Sequence, residues 1–228
     1  TKLKITNPPI EIDELDSIIQ SLKQDLSKES KGSVEWVVAC GGGRVNDAAK
    51  YTAKKLKMKL CIIPPILSTT NWMNAGIALR KNTILYFAGA KWPDKVLFDT
   101  KFLLENPKEM HICGIADVLC CSSALYDWKL ASLNSKEHFS QYGFEKYIEY
   151  INKVISKPEV FKQFNEESLI TILDYFIEAM VLCGASISGR PLEGSEHFVY
   201  YYLDEFPNNK LVHGKVIAIT AILGLVLQ

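Results

Sequence analysis

The stretch VEWVVACGGGRVNDAAK, residues 34–50, decides how this chain is read. Its opening, Val34 to Ala39, is a short apolar run rich in β-formers and reads as a buried strand. Gly41, Gly42 and Gly43 follow at once, and from Ala48 to Leu56 the pattern is helical. A strand, a glycine turn and a helix start bring backbone close to a ligand and turn free N–H groups toward an anion. A dinucleotide pyrophosphate is the natural guest, with Asp47 placed to bond a ribose or the loop itself. A tight strand-to-helix turn without a ligand is the alternative, since the spacing is not the Gly-x-Gly-x-x-Gly fingerprint.

Outward from this stretch, Lys2 to Thr6, Leu60 to Ile63, Thr83 to Ala88 and Lys95 to Asp99 read as strands. Ile12, Leu15, Ile18, Ile19, Leu22 and Leu26 recur at helical spacing after Pro8 and Pro9. This alternation predicts a mostly parallel sheet covered by helices. Beyond Asp99 strand signals fade. Ile112 to Leu130, Tyr142 to Ile155 and Ser168 to Gly184 carry helical periodicity, the third with Asn165 as its cap. A Gly/Ser/Pro stretch, Gly184 to Gly194, interrupts, and two further helices start at Ser195 and His213. The expected architecture is an α/β nucleotide-binding domain, residues 1 to about 100, followed by an all-α domain over 101–228. The opening residues read as mid-protein sequence and the end falls inside an apolar run, so extension at one or both ends is expected.

Composition bounds the function. The 228 residues carry 26 basic and 26 acidic side chains, which leaves no bulk field to gather nucleic acid or anionic membrane. The apolar run Val216 to Gln228 is too short to span a bilayer. The six cysteines form no Cys-x-x-Cys pair. A reduced, cytoplasmic protein is the expectation.

Of only four histidines, His197 and His213 sit near the starts of successive predicted helices, while His111 and His138 read as cap or surface residues. Asp117 lies among apolar neighbours in Ile115 to Leu119, and a buried carboxylate needs a cation or hydrogen-bond donors. One aspartate and two histidines would leave a fourth position open, as catalytic zinc requires; iron or nickel accept the same donors.

With these segments in place, the sequence resembles the glycerol-1-phosphate and glycerol dehydrogenases, relatives of the iron-containing alcohol dehydrogenases and dehydroquinate synthases. Residues 41–50 resemble their nucleotide loop, residues 114–119 the helix of the first metal ligand, residues 188–197 the segment of the second and residues 212–214 that of the third. The resemblance implies a dehydroquinate synthase-like fold, NAD or NADP as cofactor, and one divalent metal held by Asp117, His197 and His213. Gly42, Gly43, Arg44 and Asp47 would line the cofactor loop, with Ser68, Thr69 and Asn74 nearer the nicotinamide. It further implies a small polyol or phosphorylated polyol as substrate, and a homo-oligomer.

The sequence departs from that pattern on the substrate side. Thr70 stands where an aspartate is usual, Asn74 where a serine is, Tyr201 replaces a second histidine, and Lys215 a glutamate. Arg190 and Lys215 are candidates for an anionic substrate group; a loop arginine and a solvated lysine are the alternative. Two other readings stay open: a lyase or cyclase that recycles NAD within one turnover, and a non-catalytic descendant of the fold.

Overall fold

In a computed structural model, residues 4–28, 34–206 and 211–228 are described. The chain divides into two compact units, Thr1–Ile66 with Asn71–Asp99, and Leu67–Thr70 with Thr100–Gln228.

The first unit opens with α1 (Ile12–Lys28), whose apolar positions fall on one face. Leu15 and Ile19 on that face pack with Ala48, Tyr51, Ile77 and Leu79. Strand β1 (Trp36–Cys40) leads into α2 (Gly43–Leu56) and then β2 (Lys59–Ile63), a parallel pair in which Trp36 lies opposite Lys59. β3 (Gly76–Lys81) and β4 (Ile84–Ala90) form an antiparallel hairpin, and β5 (Lys95–Val96) joins β2 in parallel. The sheet order is therefore β1-β2-β5, with the hairpin as a separate two-stranded sheet.

Three sequence expectations change here. The reading of Lys2 to Thr6 as a strand fails over Lys4 to Thr6, its first residues lying outside the described ones. Among the described residues β1 pairs with β2 alone, and the face bearing Val38 and Cys40 is uncovered, so Val38 is 60% exposed rather than buried. β3 was not anticipated, because its two-residue turn is Asn82-Thr83 rather than Asn-Gly. Both turn residues take positive φ, 54° and 69°, the backbone a tight hairpin needs; threonine there is unusual.

The second unit is helical: α3 (Thr100–Leu104), α4 (Lys108–Leu119), α5 (Cys121–Asn134), α6 (Gln141–Ile155), α7 (Glu159–Gln163), α8 (Glu166–Ala185), α9 (Ser195–Asp204) and α10 (His213–Leu227). The expected single helix over Ile112 to Leu130 is two helices meeting at Cys120. Asn165 does cap α8, through a reciprocal pair of bonds with Ser168. α8 has the length and hydropathy to cross a bilayer. Here it is a core helix, burying Leu169, Ile172, Phe176 and Ala179. Two buried tyrosines of α6 fix its register against α8: Tyr147 donates to the Ala179 carbonyl at 2.6 Å and Tyr150 to that of Tyr175 at 3.1 Å. Each satisfied hydroxyl lets a large ring be buried without an orphaned donor.

Candidate metal centre

Asp117 sits near the end of α4, His197 in the first turn of α9, and His213 at the start of α10. Their convergence depends on close helix packing. A Cβ added to Gly214 would stand 2.0 Å from the Cys113 carbonyl oxygen, so only glycine lets α10 approach α4 this closely. Gly114 permits a second close approach, since a Cβ there would meet the Leu67 carbonyl oxygen at 1.8 Å. That contact seats the segment Leu67–Thr70, and the Thr70 backbone N–H donates to Asp117 Oδ2 at 2.9 Å. His111 helps hold the same segment. It is fully buried, accepts from the Leu67 N–H through Nδ1 at 3.3 Å, and donates from Nε2 to the Leu103 carbonyl at 3.0 Å. The expectation of a capping or surface histidine is thus corrected for His111; His138 is exposed.

The other Asp117 oxygen, Oδ1, meets both imidazoles, His213 Nε2 at 2.9 Å and His197 Nε2 at 3.4 Å. One potential ligand atom from each residue lies within 4.8 Å of the others. Four ligands about 2 Å from a tetrahedral ion are roughly 3.3 Å apart, so this spacing fits a shared cation. The donor set, one carboxylate and two imidazoles, suits zinc, iron or nickel. Asp117 is 4% exposed and His197 6%. Burial alone would raise the Asp117 pKa, but the adjacent His213 and His197 outweigh it and hold the carboxyl well below its usual range. Burial likewise opposes charge on His197, yet its bonds to Asp117 and Glu196 push its pKa up to about 9.

Around this trio stand groups that sequence reasoning missed. Glu196, 1% exposed, contacts His197 Nδ1 at 2.9 Å. Cys120 is fully buried and donates to the Asp117 carbonyl at 2.9 Å. Burial and the nearby Glu196 carboxylate raise its pKa well above the ordinary thiol value, so it stays a neutral thiol. The adjacency of Glu196 to His197 was the available signal; nothing local marks Cys120.

The substrate-side candidates separate. Thr70 contributes its backbone N–H to Asp117. Tyr201 donates to Glu193 Oε1, with its ring 6.1 Å from that of His197. Arg190 is committed to Glu137, Nε to Oε1 at 3.0 Å, whereas Lys215 is exposed.

The glycine loop lies in the first unit. Gly42 is the N-cap of α2 with ordinary negative φ, and no side chain caps this helix start. A Cβ on Gly42 or Gly43 would meet nothing within 4 Å. These glycines serve openness rather than backbone strain, and the bare helix terminus suits an anion. Arg44 belongs to the first turn of α2. Asp47 does not bond the loop. Its Oδ1 and Oδ2 each take the Asn71 amide at 3.0 Å, and Oδ1 also takes the Ala78 N–H at 3.2 Å. Asn74 accepts from the buried Lys50 ammonium at 3.1 Å, so both residues serve the interior of the unit. Ser68 and Thr69 fall in the second unit, on the segment that precedes Thr70.

Residues 9–107 match the family model described as iron-containing alcohol dehydrogenase. The glycerol-1-phosphate dehydrogenase [NAD(P)+] of Pyrococcus horikoshii is 25% identical over 205 residues, 90% of this chain and 59% of that protein. Its counterpart in Thermoplasma volcanium is 28% identical over 209 residues, 92% of this chain and 59% of that one. The chain thus spans about three fifths of the curated relatives it matches. The crystal structure of glycerol dehydrogenase from Schizosaccharomyces pombe aligns with a TM-score of 0.70 at 15% identity, over 98% of this chain and 57% of that one. Sulfoacetaldehyde reductase from Bifidobacterium kashiwanohense, solved with NAD+, also aligns at 0.70 and 15%, over 98% and 60%. These structural likenesses establish the fold.

Proposed function

We propose that this chain, a relative of the iron-containing alcohol dehydrogenases, is the nucleotide- and metal-binding portion of an NAD(P)-dependent oxidoreductase acting on a small polyol phosphate. The observation that carries the reading is the convergence of Asp117, His197 and His213 on one point. Names of the sequence relatives support a phosphorylated polyol and NAD(P). In the reaction a secondary alcohol and NAD(P)+ give a ketone, NAD(P)H and a proton.

Asp117, His197 and His213 would hold the divalent ion, which supplies Lewis acidity toward an alcohol or ketone oxygen when bound. The chain's own groups do the rest. The Thr70 N–H takes one Asp117 oxygen and leaves the other for the ion. The bare start of α2, with Gly42, Gly43 and Arg44, would bind the pyrophosphate of the cofactor. Tyr201, whose ring lies 6.1 Å from that of His197, would relay the released proton by taking it at its oxygen and passing its own to the Glu193 carboxylate that it is bonded to. Of the two basic candidates, the exposed Lys215 would meet a substrate phosphate, while Arg190 is paired with Glu137.

The test is elemental analysis of the purified chain, paired with nicotinamide absorbance on a panel of polyol phosphates and their ketones. One equivalent of metal with net reduction or oxidation of the cofactor is expected. Metal without net absorbance change would favour the cofactor-recycling reading, and no metal at all would end the proposal.

A further inference from the structure

Glu196 is an expensive residue for the fold. Its carboxylate is almost wholly buried, which costs several kcal/mol unless donors compensate. Three do. Gly194 N–H reaches Oε1 at 2.6 Å, the Ser123 hydroxyl reaches Oε2 at 2.8 Å, and His197 Nδ1 lies 2.9 Å from Oε1. We infer that Glu196 is a positioning residue for the metal centre, fixing His197 as the Nδ1–H tautomer and aiming the Nε2 lone pair at the ion position beside Asp117. The inference rests on the metal-centre reading above.

An ionised carboxylate only accepts, so Nδ1 must carry the proton. As an ion's ligand the ring would be neutral, with its one lone pair on Nε2, the atom 3.4 Å from Asp117 Oδ1. Ser123 on α5 and the Gly194 backbone hold the carboxylate itself, so turning the ring over would break a charge-assisted bond to a fixed acceptor. Charge agrees with this role. With both imidazoles neutral as ligands, the Asp117 and Glu196 carboxylates sum to minus two, which a divalent ion would balance. Cys120, Glu196 and His197 also cluster closely enough for an ion. Both Glu196 oxygens, however, are already occupied by donors within the chain, so the cluster reads as support for His197 and not as a second ion site.

The experiment uses the whole chain as wild type, E196Q and E196A. Zinc affinity is measured by competition with a chromophoric chelator, and the His197 ring nitrogens by 15N NMR of the zinc form. E196Q keeps the size and an acceptor oxygen but loses the charge. It should fold as wild type and bind zinc about tenfold more weakly, with E196A about a hundredfold weaker. In the wild type, Nδ1 should be protonated and Nε2 zinc-bound. Equal affinity in all three proteins, or an unprotonated Nδ1 in the wild-type zinc form, overturns the role of Glu196 alone. A wild type that takes up no zinc overturns the metal reading, and this inference with it.

Discussion

His213 Nε2 lies 2.9 Å from Asp117 Oδ1 although 96 residues separate them in the chain. The contact buries a carboxylate against an imidazole and draws α4 and α10 to a common point. Asp117→Ala would remove the oxygen that both histidines address. Zinc affinity is expected to fall by at least about a hundredfold, beyond what loss of a supporting group costs. Full metal occupancy in this variant would show that the ligands are wrongly assigned.

Gly214→Ala tests the packing that makes the contact possible. The new methyl would press on the Cys113 carbonyl and force α10 away from α4. Overpacking of this kind costs about 1–3 kcal/mol. Thermal and urea unfolding should register that loss, and metal affinity should fall with it because His213 moves with its helix. An unchanged midpoint would mean the two helices are not so closely apposed.

Gly42→Asp separates stability from ligand binding. Aspartate is a good N-cap, and the Gly42 backbone conformation admits any residue. Stability should hold or rise by a few tenths of a kcal/mol, while the added carboxylate repels a pyrophosphate. NADH affinity, read by fluorescence titration, should drop at least about tenfold. Undiminished NADH binding would mean the cofactor phosphates sit elsewhere.

Lys50→Met tests the interior of the first unit. The ammonium, fully buried, donates to the Asn71 carbonyl at 2.7 Å, Asn74 Oδ1 at 3.1 Å and the Gly76 carbonyl at 3.0 Å, and lies 3.9 Å from Asp47. Burial lowers its pKa to about 8 and raises that of Asp47 to about 6, each opposed by the other's charge. Removing the cation leaves Asp47 buried without its counter-charge and three acceptors empty. A loss of about 3–5 kcal/mol is expected in urea unfolding; a neutral result would show that the unit does not depend on this knot.

His111 makes stability depend on pH. Burial lowers its pKa below the ordinary 6.5, and the bond to the Leu67 N–H needs an unprotonated Nδ1. The unfolded chain therefore binds more protons than the folded one below about pH 6.5, and stability falls as the pH drops through that value. The slope contributed approaches 1.4 kcal/mol per pH unit at most, for one proton. Between about pH 7.5 and about pH 5, urea unfolding of wild type and of His111→Gln should differ by this slope, since groups such as Asp47 that titrate in the same range contribute equally to both. Parallel curves would remove His111 from the account.

Much of this was legible in the chain itself. The Asn165 cap and the helix starts at Ser195 and His213 are local patterns and appear where they were read. The strand, glycine turn and helix around residues 34–50 appear in that order, though the helix begins at Gly43 rather than Ala48 because the turn is shorter than its three glycines suggest. The break at Cys120 and the β3 strand were missed because apolar periodicity runs straight through the first, and the Asn82-Thr83 turn lacks the usual glycine. Asp47 was read as bonding a ribose or the loop because it lies just past the glycines, and Asn74 as nearing the nicotinamide because of the family resemblance. Which way they turn depends on Asn71, Ala78 and Lys50, partners more than twenty residues away.

By itself the sequence determined the order of elements and the types of side chain available for a metal, since helix and strand periodicity and donor chemistry are properties of short segments. Only the tertiary structure gives the distances between Asp117, His197 and His213, which the resemblance had grouped together, because separations of remote residues depend on helix packing. Gly114 and Gly214 permit that approach, and Thr70 and Glu196 orient the groups it brings together; of these roles only that of Glu196 leaves a local trace, its adjacency to His197.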